Sequence, residues 1–244
     1  MFSFNLNDVK QPSAVRYLKP YNIYNDVSIS NVEIKEGTSV NGNAWKAIQL
    51  TFSCAEGIYN HSIFYVNSDK DFERTEMDMP NGGKRELPSS WERTRDTMAA
   101  IGFAFFPEDF AKMQAASSKA KSFDDIAEMF VRCVTKNKGR ISTKMKLIGS
   151  NRNGSVYAAL PNCTGIAEAK DEKRASDNNV KVGEWYTWMV SPFGNNLSFS
   201  NYEEKKKVEY ENAKPTAINN AVDSVGATVD TAPIDSEIDF DSLL

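Results

Sequence analysis

The spacing of apolar residues changes twice along this chain, and these changes constrain the fold more than any other feature. In residues 44–54, Ile48, Leu50 and Phe52 alternate with polar neighbours, which is the pattern of a half-buried strand. After residue 88 the apolar residues recur at helical spacing, and after residue 139 they alternate again. The order of strands, helices and strands predicts an α+β, mainly β fold.

Three strands are predicted in the first part of the chain, at residues 23–35, 44–54 and 57–66, with turn residues between them. Residues 67–88 are polar, contain Pro80-Asn81-Gly82-Gly83, and are interpreted as a long loop. Strand 57–66 contains His61, the only histidine in the sequence. A lone histidine is more often structural than catalytic.

Three helices are predicted between residues 89 and 138. Ser89 and Glu92 fit a capping box at the start of the first helix. Pro107 suits the first position of the second helix. The third helix begins at Ser122, and its apolar stripe consists of Phe123, Ile126, Phe130 and Val134.

A hairpin is predicted after the helices, with strands at 140–149 and 155–160 joined by the turn Asn151-Arg152-Asn153-Gly154. An apolar segment at 180–190 and a charged helix at 202–213 complete a body of residues 1–214. Three strands, a helical block and a hairpin fit a five-stranded OB-fold barrel with a helical insertion at about 89–138, between strands 3 and 4. The same order also fits other α+β folds.

Residue patterns that support enzyme chemistry are scarce. There is no C-x-x-C, H-x-x-x-H or P-loop spacing, so we expect no cofactor, no metal and no enzymatic activity, although carboxylate-bound metal stays open. Cys54, Cys133 and Cys163 are interpreted as reduced, buried thiols. The longest apolar stretch, 98–106, is too short to span a bilayer, and we expect no membrane partner.

The clearest indication of function is a stretch without acidic residues. No acid occurs between Glu128 and Glu168. The bases in this interval are Arg132, Lys136, Lys138, Arg140, Lys144, Lys146 and Arg152. Such a surface suits a polyanion, because lysine and arginine neutralise phosphates and release counterions.

Strand alternation places Lys144 and Lys146 on one face, beside Tyr157 of the adjacent strand. Lysines with an outward aromatic ring, on which a base can stack, predict a groove for single-stranded nucleic acid. The alternative is a merely solvated basic face. The predicted contact residues are Lys138, Arg140, Lys144, Lys146, Arg152, Trp45, Tyr59 and Tyr157.

Residues 215–244 contain six acids and no base, which leaves 27 acids against 29 bases in residues 1–214. Such a segment buries little surface, so it is predicted to be a disordered acidic tail. It either solubilises the protein or docks partners and competes with nucleic acid for the groove. Apolar residues at its tip favour docking, and the predicted partner contacts are Asp239, Phe240, Asp241, Leu243 and Leu244.

Several segments, in their order, carry a family resemblance. They are Asn81-Gly82-Gly83-Lys84, Pro88-Ser-Ser-Trp91-Glu92-Arg93-Thr94, Ser117-Ser-Lys-Ala-Lys-Ser-Phe-Asp-Asp125, Val156-Tyr-Ala-Ala-Leu-Pro161, Tyr202-Glu-Glu-Lys-Lys-Lys and Ala213-Lys-Pro-Thr216. Together with the acidic end, they make the chain similar to the single-stranded DNA-binding proteins of tailed bacteriophages, particularly of phages that infect Bacteroides-like hosts.

The resemblance implies an OB fold that coats single-stranded DNA during phage DNA replication and recombination, in the cytoplasm of the infected bacterium. It also implies that the tail contacts phage or host replication and recombination proteins. This chain ends in Leu244, whereas some such proteins end in an aromatic residue. Oligomeric state stays open, a homo-oligomer included. The rival functions are a structural or packaged virion protein with an acidic docking tail, and a nuclease or other replication enzyme that uses carboxylate-bound metal.

Overall fold

The computed structural model describes residues 15–78, 84–161 and 191–213. The predicted segment 180–190, Cys163 and the acidic tail lie outside these ranges. The strands are β1 (Asn22–Thr38), β2 (Ala44–Cys54), β3 (Gly57–Phe64), β4 (Thr75–Asp78), β5 (Lys84–Leu87), β6 (Thr143–Arg152) and β7 (Ser155–Ala159). The helices are α1 (Ser90–Phe105), α2 (Pro107–Ser117), α3 (Phe123–Asn137) and α4 (Asn201–Asn212). The predicted α+β class is confirmed.

Five strands form one antiparallel sheet in the order β3-β2-β1-β6-β7. The start of β1 pairs with β6, and the rest of β1, from Ser28 onward, pairs with β2. The change of partner follows a register shift between Tyr24 and Val27, where Asp26 has a φ of 51°. A shift of this kind bends the strand and increases its twist, so β1 serves both halves of the sheet.

The predicted five-stranded OB-fold barrel is not confirmed. Over the ranges that the structure describes, the edge strands β3 and β7 share no hydrogen-bonded ladder, and the sheet is open between them. A side chain joins the two edges instead, because the backbone N–H of Leu160 donates to the hydroxyl of Tyr59 at 3.0 Å.

Helices α1, α2 and α3 cover one face of the sheet and form the core with it. The predicted capping box at Ser89 begins α1, and a capping box also forms at Ser122, the predicted start of α3. Most of the predicted stripe of α3 is buried, with Phe130 and Val134 fully enclosed, whereas Ile126 is half-buried. The side of the sheet that faces the helices is called the core face below, and the opposite side is called the outer face.

The interpretation of residues 67–88 as a loop is wrong. This stretch contains a 3-10 helix at Asp69–Phe72 and the hairpin of β4 and β5, which pair from Thr75↔Leu87 to Asp78↔Lys84. Each strand has only four residues and no apolar alternation, so the backbone ladder that defines the hairpin leaves no pattern in the sequence.

After the gap at 162–190, the chain lies alongside β6. The backbone N–H of Lys146 donates to the carbonyl of Pro192 at 2.8 Å, and that of Gly194 donates to the carbonyl of Lys144 at 3.0 Å. Phe193 is fully buried, with its ring 5.1 Å from that of Phe105. The charged helix predicted at 202–213 follows as α4 and is confirmed. No described helix has the length and apolar character needed to cross a membrane.

Candidate nucleic-acid interface

Two aromatic rings lie on the outer face of β2 and β3. Because Ile48, Leu50 and Phe52 face the core, strand alternation directs Trp45 to the outer face. Phe64 of β3 lies beside it, with ring centroids 6.1 Å apart and an edge-to-face angle of 73°. Both residues are half-buried, so part of each side chain is accessible to a ligand.

A glycine in β1 supports the orientation of Trp45. Gly37 lies opposite Trp45 in the β1–β2 ladder, and a Cβ atom at Gly37 would lie 2.7 Å from Cζ2 of the indole. Real side chains do not approach so closely, so only glycine lets the ring lie directly over the β1 backbone. The indole therefore reaches from β2 across β1, and the aromatic pair extends over three strands.

Uncharged polar side chains continue the outer face. The hydroxyl of Thr51 on β2 donates to Oδ1 of Asn60 on β3 at 2.9 Å. Gln49 lies opposite Ser62, and its Oε1 is buried without a hydrogen-bond partner among the described residues. Because this oxygen is buried, the hydrogen-bonding groups that the face offers to a ligand are those of Thr51 and Asn60.

The prediction that Tyr59 faces outward is wrong. The β2–β3 register places Tyr59 opposite Phe52 on the core face, where the two rings stack at 6.2 Å and Tyr59 is only 8% exposed. The prediction for Trp45 is correct as to its face. Sequence reasoning missed Phe64 and Gln49, although the alternation that directs Trp45 outward also applies to Gln49.

The predicted basic residues fall into two groups. Lys138, Arg140 and Arg152 are exposed and Lys144 is half-buried, and none of the four makes an ion pair within residues 15–78, 84–161 and 191–213. Lys146 differs, because its side chain is only 15% exposed and its Nζ lies 3.1 Å from Oε1 of Glu203. The expectation that Lys146 lies on an open face is therefore wrong, since α4 covers it.

The hairpin of β6 and β7 carries a basic residue, Arg152, and an exposed aromatic residue, Tyr157. Asn153 and Gly154 have φ values of 50° and 79°, and two positive values at an Asn-Gly pair are typical of the predicted tight turn. Tyr157 is 55% exposed and lies opposite Ser150, so the strand rise places it about 20 Å from Lys144. Tyr157 therefore lies beside the end of β6, whereas Lys144 lies at its start.

The ionisable residues of the core show no arrangement that suggests catalysis. Burial lowers the pKa of His61 to about 4, and its Nδ1 lies 3.3 Å from the hydroxyl of Tyr59. Cys54 and Cys133 are free and half-buried, and burial raises the pKa of the Cys133 thiol. In the described part of the chain, no group of three or more His, Cys, Asp or Glu side chains could hold a metal ion.

No protein-family model matches this chain, and neither a curated protein nor a solved structure matches it. The residues of the outer face and the sequence segments described above are therefore the features that bear on function.

Proposed function

We propose that this protein binds single-stranded DNA without sequence preference and that the outer face of the sheet is the binding surface. The observation that carries the proposal is the Trp45–Phe64 pair, whose half-buried rings lie on the outer face over three strands. Every base has a π-face, so stacking on such rings tolerates any sequence. The neighbouring uncharged groups of Thr51 and Asn60 provide hydrogen-bonding partners for bases.

We further propose that the sheet is a partly open OB-type barrel. The strand order β3-β2-β1-β6-β7, with the helices inserted between β3 and β6, supports this assignment. In OB folds, strands 2 and 3 and the loops after strands 1 and 4 contact oligonucleotides. The corresponding parts here are the Trp45–Phe64 face, residues 39–43 and the turn at Asn153–Gly154.

Four basic residues that make no ion pair with any described residue supply the electrostatic part of the proposed binding. Lys138, Arg140 and Lys144 precede or begin β6, and Arg152 ends it. Neutralising phosphates with such residues releases counterions, so binding should weaken as salt increases. We propose that the protein coats single strands during phage DNA replication and recombination, and that residues 215–244 recruit replication proteins.

The test is fluorescence anisotropy with labelled oligo(dT) and a duplex of equal length, at low salt and across a salt series. We expect preferential binding to oligo(dT), and we expect Trp45→Ala to weaken it by about 1–3 kcal/mol. The control is Trp91→Phe, because Trp91 packs against Phe72 and Phe123 beside the helices.

Each outcome has a distinct meaning. No binding of oligo(dT) at low salt would reject the proposal and favour a structural virion protein. Metal-dependent cleavage of the strand would favour a nuclease. Normal binding by a well-folded Trp45→Ala variant would show that the strand lies elsewhere on the protein.

A further inference from the structure

Helix α4 lies against β6, and one of its carboxylates forms an ion pair with a lysine of that strand. The Nζ of Lys146 lies 3.1 Å from both carboxylate oxygens of Glu203 and 3.1 Å from the backbone carbonyl of Ser198. Lys146 is 15% exposed and Glu203 is 18% exposed, so the pair is largely enclosed. The carboxylate therefore occupies the position in which a phosphate oxygen would meet this lysine.

More positive charge surrounds this pair. The ring of Phe199 lies near two ammonium groups, with Nζ of Lys146 at 5.6 Å and Nζ of Lys207 at 5.5 Å from its centroid. Lys144 is two residues from Lys146 on the same strand, so alternation places it on the same face. Within the described ranges, Glu203 is the only carboxylate that pairs with any of these three lysines.

The attachment of α4 to the body is slight. None of its residues is buried, and among the described residues its side-chain contacts with the body include the Glu203 pair and Tyr210, whose ring lies 5.8 Å from that of Tyr21. A helix of 12 residues is marginally stable without packing, and its own capping box at Ser200 adds little. An anion that competes for Lys146 therefore has to overcome only the small free energy that holds α4 against the body.

We propose that the β6 surface under α4 is a second phosphate-binding surface, centred on Lys146, and that Glu203 occupies it until a DNA strand displaces α4. This inference rests on the proposed function, since the displacing ligand is the backbone of single-stranded DNA. The surface continues from Lys144, so a strand bound along β6 reaches Lys146 once α4 has moved.

The decisive variant is Glu203→Gln. Glutamine at this position keeps the capping-box hydrogen bond that Glu203 accepts from the backbone N–H of Ser200, but it removes the charge that holds Lys146. The matched control is Glu204→Gln, which removes the same charge from the next residue of α4, an exposed residue. We expect Glu203→Gln to raise the affinity for labelled oligo(dT) at low salt by about two- to fivefold, and Glu204→Gln to change it less.

A double-mutant cycle separates release of the lysine from mere loosening of the helix. In a Lys146→Gln background the lysine is absent, so Glu203→Gln should no longer raise the affinity. Hydrogen exchange gives an independent measurement, and we expect the amides of α4 to exchange faster when oligo(dT) is bound. An equal affinity gain in both backgrounds, no gain in either, or slower exchange of α4 would overturn the proposal.

Long-chain polyphosphate, which presents phosphates without bases, distinguishes this inference from the proposed function. Suppose that the parent fails to bind oligo(dT) and that Glu203→Gln binds polyphosphate more tightly than the parent. The phosphate-binding surface under α4 is then supported, and the proposed function is rejected. Suppose instead that the parent binds oligo(dT) and that Glu203→Gln changes neither the affinity for oligo(dT) nor that for polyphosphate. The proposed function is then supported, and the phosphate-binding surface under α4 is rejected.

Discussion

The indole of Trp45 lies so close to Gly37 that a Cβ atom there would come within 2.7 Å of Cζ2. This contact joins β2 to β1 on the outer face and fixes the aromatic ring in the proposed DNA-binding surface. The glycine is needed for space and not for a special backbone angle, because Gly37 is not among the residues with positive φ.

Gly37→Ala should therefore displace the indole and lower both stability and affinity for oligo(dT). We expect a loss of about 1–3 kcal/mol in the free energy of unfolding, since the added methyl group overpacks the contact. Trp45→Phe shortens the ring, so Gly37→Ala should be better tolerated in that background. Urea denaturation of the two single variants and the double variant measures this coupling. An equal loss in both backgrounds would show that the ring does not rest on Gly37.

Lys144 and Arg152 should each contribute to the salt dependence of binding. Replacing either with alanine removes one phosphate contact, so the slope of log affinity against log salt should fall by about 0.7. The loss should be similar for oligo(dT) and for other base sequences, because phosphate contacts carry no sequence information. Lys112→Ala on α2 is the control, since Lys112 is 75% exposed and lies on the helical side. Parent-like slopes in both variants would exclude these residues from the interface.

Phe130 should be among the most sensitive positions of the core. Its side chain is fully buried on α3, with its ring 5.6 Å from that of Phe106. Phe130→Ala should lower the free energy of unfolding by about 3–5 kcal/mol. Ile126→Ala on the same helix should have a smaller effect, because Ile126 is half-buried. Chemical denaturation checks both values, and the reverse order would contradict the packing of α3.

Stability should fall as the pH drops from neutral toward 5. The pKa of His61 is about 4 in the folded protein, below its ordinary value of 6.5, because burial disfavours the charged ring. The unfolded chain thus binds the proton more readily, so this contribution is complete above about pH 6.5 and is lost as the pH approaches 4. Between about pH 7 and about pH 5 we expect a loss of roughly 1–2 kcal/mol.

His61→Gln is the control for this pH dependence, since the sequence has no other histidine. Hydrogen bonds from Arg74 lower the pKa of Glu92 to about 2, so this carboxyl loses its contribution only at lower pH, below the interval of the measurement. Urea denaturation at the two pH values should show a smaller change in the variant than in the parent. The same change in both proteins would assign the effect to other groups.

Local patterns in the sequence predicted much of the fold. The bounds of β2 agree with the predicted strand, because Ile48, Leu50 and Phe52 alternate with polar residues. The capping box at Ser89 is read directly from residue spacing. The hairpin of β4 and β5 was missed because charged residues fill it and backbone hydrogen bonds alone define it. Closure of the sheet depends on contacts between its edges, which no local pattern specifies.

The candidate site was predictable only where strand alternation decides the face. Trp45 follows the alternation of β2, whereas the position of Tyr59 depends on the register that places it opposite Phe52. Lys146 was misassigned for another reason, because Glu203 lies 57 residues further along the chain and only the tertiary fold brings it to β6. Long-range ion pairs of this kind leave no mark on the surrounding sequence.

The position of β6 in the sequence determines how late in synthesis the sheet can be completed. Ile23 of β1 pairs with Lys146 of β6, and at a synthesis rate of 5–20 residues per second this partner appears about 6–25 s later. During that interval the start of β1 has an unpaired edge, a surface that favours association with other chains. Helices α1, α2 and α3 leave the ribosome within the same interval, and the chain after α3 bonds to β1 through Gly139 and Ile29 at 3.0 Å. The helical insertion thus covers the apolar side of an unfinished sheet while translation continues.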